Sequence, residues 1–156
     1  MSESLEREVE RKNAMDKMIF VNLPVTDLAK SISFYAALGA EVDPVFREEG
    51  TTQMMRVSPT ICVMLLTHER FSGFTSRKIP NAHETAQVLL ALSEESRADV
   101  DKQTEAAAAN GGVADPNPVQ EHGFMYGRSY ADPDGHIWEV CWMDMSAVPA
   151  DAEAAA

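Results

Sequence analysis

The sequence has few cysteines, few basic residues and no long hydrophobic run. Its two cysteines, Cys62 and Cys141, lie in apolar strand-like segments, so we expect reduced thiols in a cytoplasmic protein and no disulfide framework. No apolar run reaches the roughly 20 residues that a membrane-spanning helix requires. The charged segment 1–17 also lacks the hydrophobic core of a secretory signal. We therefore expect no membrane association.

The shortage of basic residues gives the chain a strongly acidic balance. Against 13 Lys and Arg there are 25 Asp and Glu, and the net charge is −12. A chain of this kind without a basic cluster is a poor partner for nucleic acid or for an anionic membrane surface. The acidic balance weakly favours a cationic ligand instead.

Common catalytic motifs are also missing. The sequence contains no GxGxxG, no P-loop, no serine or cysteine nucleophile elbow and no CxxC. The histidines are His68, His83, His122 and His136, and no pair has the i,i+2 or i,i+4 spacing that directs two imidazoles at one ion. We expect each of them to be an ordinary surface or hydrogen-bonded residue.

The 156 residues are enough for one domain, and their hydrophobic pattern is that of a mixed protein. Asp27 and either Ser93 or Ser96 are suitable N-caps, while Gly39 and the pair Gly111-Gly112 are suitable helix ends. The pattern predicts helices over 28–38 and from the Ser93 or Ser96 cap to about 109. It predicts strands over 18–25, 40–49, 51–58, 60–67, 87–93, 113–119, 123–131 and 136–143.

The two halves of the chain repeat one another. "LPVTDLAKSISFYAALGAEVDP" and "LALSEESRADVDKQTEAAAANGGVADP" both run strand, cap, helix, glycine and Asp-Pro. The repeat predicts an α+β fold of two β-α-β-β-β modules that form an eight-stranded curved sheet around a cavity, with the helices outside. We place the modules at 18–67 and 87–144, joined by a loop over 68–86. They make up a domain over 17–144, between a charged arm at 1–16 and a flexible tail at 145–156.

The last predicted strand carries a carboxylate on an otherwise apolar face. Ile137, Cys141 and Met143 share that face with Glu139, while Trp138 lies on the other. A buried carboxylate requires a partner, which is often functional. Glu139 is therefore a candidate ligand-binding or catalytic group. The alternative is a structural pair with Arg128 or Arg56, or a hydrogen bond with Asn22 or Tyr126.

Two segments, "NLPVTDLAKSISFYAALGAE" and "YGRSYADPDGHIWEV", resemble the vicinal oxygen chelate superfamily over roughly residues 18–144. This superfamily includes glyoxalase I, bleomycin-resistance proteins, fosfomycin-resistance enzymes and extradiol dioxygenases. The chain is most similar to its small bacterial glyoxalase-like branch. The resemblance implies a cavity enclosed by the two modules and a homodimer. We expect the apolar loop around Phe71 and Phe74 to contribute to the dimer contact.

The resemblance also implies positions for metal ligands. They are Phe20 on the first strand, Gln87 on the strand that opens the second module, and Glu139 on the last strand. An additional glyoxalase I position falls near Val63 or Leu65. Phenylalanine and aliphatic side chains cannot bind a metal, so only Gln87 and Glu139 remain, which is too few for a catalytic site.

Two functions follow from the resemblance. The first is a protein that binds a small molecule without a complete metal site and needs no cofactor. The second is a glyoxalase-like lyase or a dioxygenase that uses a divalent metal (Zn, Ni, Mn or Fe), with Glu139 as ligand or base. For either function, the predicted ligand-binding residues are Phe20, Asn22, Gln87, Leu89, Tyr126, Arg128 and Trp138.

Overall fold

The computed structural model describes residues 3–7 and 15–147. Of the predicted arm, residues 3–7 are helical and exposed. Of the predicted tail, Met145–Ala147 form a turn of 3-10 helix. The remainder of both segments lies outside the described residues.

The first module has the predicted order of elements. Strand β1 (Ile19–Val25) is followed by helix α1 (Leu28–Ala37) and by strands β2 (Glu41–Glu48), β3 (Thr52–Arg56) and β4 (Ile61–Thr67). They form a four-stranded sheet in the order β1-β4-β3-β2, in which β1 and β4 are parallel. The Asp27 side chain caps α1 by accepting a 3.0 Å hydrogen bond from the Lys30 N–H.

The second module repeats this order after a short helix, α2 (His68–Ser72), which lies within the predicted loop. Its elements are β5 (Leu90–Ser93), α3 (Arg97–Ala109), β6 (Val113–Ala114), β7 (Gln120–Glu121), β8 (Met125–Ala131) and β9 (Ile137–Met143). The sheet order is β5-β9-β8-β6, with β7 also paired to β8. The α+β class and the duplicated module are confirmed, with the strands divided between two hydrogen-bonded sheets of four and five strands.

Several predicted strands are shorter in the structure, including the first two strands of the second module. The strand predicted at 87–93 begins at Leu90, which is the first residue of β5 that pairs with β9. The strand predicted at 113–119 is reduced to Val113–Ala114. Pro116 and Pro118, which follow, have no N–H to donate to a neighbouring strand. Ser96, and not Ser93, caps the second module's helix, because its side chain accepts from the Asp99 N–H.

One hydrophobic core extends through both modules. It lies on the helix-facing side of the sheets and includes Phe34, Val63 and Leu65 from the first module, and Val100 and Val140 from the second. Both cysteines are free, as predicted. Within the described part of the chain, no helix is long and apolar enough to span a membrane.

The turn between β8 and β9 fastens the modules to each other. The Asp134 carboxylate accepts hydrogen bonds from the Thr26 N–H (2.9 Å), the Thr26 hydroxyl (2.8 Å) and the Ser31 hydroxyl (3.3 Å). The Tyr35 hydroxyl donates to Asp132 over 2.6 Å. All of these bonds join residues about a hundred positions apart, so the Asp-Pro-Asp-Gly segment links the two modules.

Candidate functional site

The predicted alternation of faces on β1 and β9 holds in the structure. Val21, Leu23 and Val25 belong to the core or pack against it, so Phe20 and Asn22, which are exposed, lie on the face turned away from the helices. On β9, Val140 is a core residue, and Glu139 therefore also lies on the face away from the helices. Phe20, Asn22 and Glu139 thus occupy the predicted side of their sheets.

Three predicted ligand-binding residues lie on the opposite, helix-facing side of their sheet. Strands β8 and β9 pair Ser129 with Glu139, so Tyr126, Arg128 and Trp138 are directed to the other face. Trp138 is 2% exposed, and its indole N–H donates to the Tyr35 hydroxyl over 3.1 Å. These residues therefore lie on the face of the sheet opposite Glu139, and their role in ligand binding stays a prediction.

Tyr126 and Arg128 are instead held by acidic residues. The Tyr126 hydroxyl donates to Asp101 on α3 over 2.6 Å. The Arg128 guanidinium donates to Asp101 at 3.0 Å, to Glu105 at 2.9 Å and to Asp115 at 2.7 Å. Hydrogen bonds to these carboxylates, Asp115 first, raise the pKa of Arg128 further above its usual value. This cluster attaches α3 to its sheet.

Glu139 borders a small cavity of about 160 Å³, together with Ala91, Ser129, Cys141 and residues of the segment 117–120. Its carboxylate makes no hydrogen bond or ion pair with any other described residue. Arg56 is paired with Asp43 at 2.7 Å, and Arg128, although it borders the same cavity, is paired with three acids. The alternative in which either arginine neutralises Glu139 is therefore wrong.

A second cavity, of about 290 Å³, lies between the end of β1, the segment 71–88 and the start of β9; we call it the main cavity. Its walls are mostly apolar, with Leu23, Pro24, Phe71, Ile79, Val88, Leu90 and Ile137 among them. Phe71, which was predicted to lie in a dimer contact, is half-buried here. The linker between the modules therefore forms one wall of the cavity.

Seven polar side chains border the main cavity, and they include two amides and two cations: Asn22, Thr75, Arg77, Lys78, Thr85, Gln87 and His136. Asn22 and Gln87 are among the predicted ligand-binding residues, whereas Phe20, Leu89 and Glu139 are not among the lining residues. Leu89 is 49% exposed, because it precedes the first paired residue of β5. Glu139 therefore borders a different cavity from the two amides.

Arg77 and Lys78 were not predicted as site residues. They occur in a loop without periodicity, so no pattern directs them to a face, although adjacent basic residues are uncommon in this acidic chain. Neither side chain takes part in an ion pair with another described residue. No acidic residue is among the described residues that line the main cavity, so its local charge is opposite in sign to that of the protein.

The residues at the implied metal positions do not fit a divalent metal. Phe20 has no donor atom, while Gln87 and Glu139 border different cavities. Over residues 3–7 and 15–147, no group of three His, Cys, Asp or Glu side chains could hold an ion.

Comparisons with known proteins agree with this architecture. The model of the Glyoxalase/Bleomycin resistance protein/Dioxygenase superfamily matches residues 17–140. The chain therefore belongs to this superfamily. Among functionally curated proteins, none matches the sequence.

Several solved structures have the same fold at low sequence identity. A hypothetical protein from S. aureus has a TM-score of 0.68 at 23% identity, over 85% of this chain and 98% of that one. A glyoxalase-related enzyme from Fulvimarina pelagi has a TM-score of 0.66 at 22% identity, over 82% and 88%. A lactoylglutathione lyase from Agrobacterium tumefaciens has a TM-score of 0.59 at 17% identity, over 86% and 99%. At these identities the likeness establishes the fold alone.

Proposed function

We propose that the protein binds a small molecule in the main cavity, and that this ligand has an apolar body and an anionic group. The observation that carries the proposal is the lining of the cavity, in which apolar walls meet two amides and two cations. Pockets of this composition, mostly apolar with a few polar groups, are typical of small-molecule sites. The volume of about 290 Å³ is suited to a compact ligand.

The charge of the ligand follows from the groups nearest to it. A carboxylate or phosphate can accept two parallel hydrogen bonds from the Arg77 guanidinium, and Lys78 adds a second positive charge. Salt screens exposed charges beyond about 8 Å at physiological ionic strength. The net charge of −12 is therefore felt weakly inside the cavity, and the cationic ligand expected from composition does not suit this site.

Ligand binding here requires no divalent metal. Neither implied ligand position, Phe20 or Glu139, borders the main cavity, and Gln87 alone is a weak oxygen donor. Elemental analysis of protein purified without chelator should therefore find no stoichiometric Zn, Ni, Mn or Fe. About one such ion per chain would contradict the metal-free part of the proposal.

Calorimetry with a matched pair of probes tests the charge preference. We expect phenylacetate to bind more tightly than phenylacetamide, which has the same shape without the charge. Arg77→Gln should weaken phenylacetate binding about tenfold, the effect of one lost charged hydrogen-bonding partner. Lys102→Gln removes the same charge from an exposed site on α3 and serves as the control. Equal affinities for the two probes would contradict the proposal.

A further inference from the structure

A third cavity lies between the two modules, on the helix-facing side. It has a volume of about 470 Å³, and we call it the inter-module cavity. The first module contributes the end of α1 and the residues around the β3–β4 turn, including Tyr35, Leu38 and Ser58. The second contributes residues 91–94 at the end of β5, together with Gln103, Tyr130 and Trp138. It shares no lining residue with the main cavity.

The inter-module cavity contains one carboxylate and no cation. Glu94 is its only acidic residue, and no Lys, Arg or His is among the described residues that line it. Burial raises the pKa of Glu94, and repulsion from Asp99 raises it further, while hydrogen bonding with Gln103 opposes both effects. A partly buried carboxylate without a cation is unfavourable. Glu94 therefore has no cationic partner among the described residues that line the cavity.

The Tyr130 hydroxyl is a second polar group at this cavity. Tyr130 is 3% exposed, yet its hydroxyl makes no hydrogen bond with any other described residue. By contrast, the neighbouring Tyr35 hydroxyl donates to Asp132 and accepts from the Trp138 indole. Burial raises the pKa of Tyr130 most, followed by the charges of Asp132 and Glu94. The phenol therefore lies within electrostatic reach of the Glu94 carboxylate.

Three aromatic rings complete the lining of the inter-module cavity. Tyr35 and Trp138 are in contact edge to face, with ring centroids 6.1 Å apart, and Tyr130 borders the same space. Aromatic rings attract cations, and this attraction is stronger where water is excluded. A carboxylate, an unpaired phenol and several rings are together a suitable environment for an alkylammonium group.

We propose that the inter-module cavity binds a small apolar molecule that bears a protonated amine. The ammonium group supplies the cation that Glu94 lacks and donates a further hydrogen bond to the Tyr130 hydroxyl. The apolar body of the ligand packs against the aromatic rings. This site differs in position and in ligand charge from the main cavity, so it does not depend on the function proposed above.

Calorimetric titration with 2-phenylethylamine, which is protonated at neutral pH, tests the proposal. The neutral probe 2-phenylethanol has a closely similar shape and should bind at least tenfold more weakly. Glu94→Gln keeps the size of the side chain and should remove this preference. Glu95→Gln, at the exposed neighbouring position, removes the same charge and should leave the preference unchanged. Tyr130→Phe should weaken amine binding several-fold.

The position of the bound amine can be checked independently of the variants. The chain has two tryptophans, and the Trp138 indole borders the inter-module cavity whereas that of Trp142 does not. The amine should shift the Trp138 indole N–H resonance with little effect on the other. No amine binding by the wild-type protein, equal affinity for amine and alcohol, an equal loss in Glu94→Gln and Glu95→Gln, or an unshifted Trp138 resonance would each overturn the proposal.

Discussion

Replacing Asp134 by alanine should remove a large part of the attachment between the two modules. Asp134 is 8% exposed, and its carboxylate accepts three hydrogen bonds, two from Thr26 and one from Ser31. Both partners belong to the first module, whereas Asp134 belongs to the turn before the last strand of the second. The substitution therefore acts on a contact that joins the two modules.

The size of the effect depends on how well water can replace the lost bonds. Hydrogen bonds to a charged group contribute about 1.5–3 kcal/mol each, and bonds that share one acceptor are not additive. Thr26 is exposed, so water replaces part of its two bonds, whereas Ser31 is fully buried and loses its partner. We expect Asp134→Ala to lower the free energy of unfolding by about 2–4 kcal/mol, equivalent to roughly 5–15 °C in Tm.

Urea unfolding followed by circular dichroism measures this change, with the midpoint expected to fall while the slope stays constant. Asp134→Asn is a conservative variant that keeps one acceptor oxygen for Thr26 and should recover part of the loss. Glu139→Gln is a second control, because its carboxylate has no partner among the described residues, and it should change stability by less than about 0.5 kcal/mol. A loss below about 1 kcal/mol in Asp134→Ala would refute the reasoning. A large loss in Glu139→Gln would show that Glu139 has a structural partner.

Three further predictions concern a turn, an acidic residue and the assembly. Gly135→Ala should destabilise the protein strongly, because φ of Gly135 is +92° and an added Cβ would lie 2.6 Å from the backbone nitrogen of His83. Gly39→Ala, at a similar φ in open space, should lose only about 1 kcal/mol in the same thermal unfolding assay. Hydrogen bonds from the backbone N–H groups of residues 46 and 45 lower the pKa of Asp43 from 3.8. The contribution of Asp43 to stability is therefore fully present above its unfolded-state pKa and is lost as the pH falls through its lower folded-state pKa. Asp43→Asn should flatten the decrease in the urea midpoint between about pH 5 and pH 3. Light scattering should give the mass of a homodimer, twice 17.1 kDa. The Phe74 ring is 65% exposed, and Phe74→Ser should weaken the dimer because we expect this ring to lie in the contact. A monomer mass for the wild type at micromolar concentration would contradict the assembly.

The chain's local signals were sufficient to predict most of its secondary structure. Strand alternation, helix caps and glycine stops depend on neighbouring residues only, and the repeat of these signals in both halves predicted the duplicated module. The same alternation placed Phe20 and Asn22 on one face of β1, and Glu139 on the face of β9 opposite Trp138. These features needed no knowledge of the partner strands.

The composition of the cavities was decided by tertiary structure. Which side chains of β8 lie with Glu139 depends on the β8–β9 register, and this register directed Tyr126 and Arg128 towards α3. The position of Arg77 and Lys78 depends on how the linker folds against β1, and a loop without periodicity contains no local signal for that path. The inter-module cavity, with Glu94 and Tyr130, exists only where the two modules meet. Local pattern fixes the face of an element on which a side chain lies, whereas long-range packing fixes which faces meet, and a binding site requires several faces to meet.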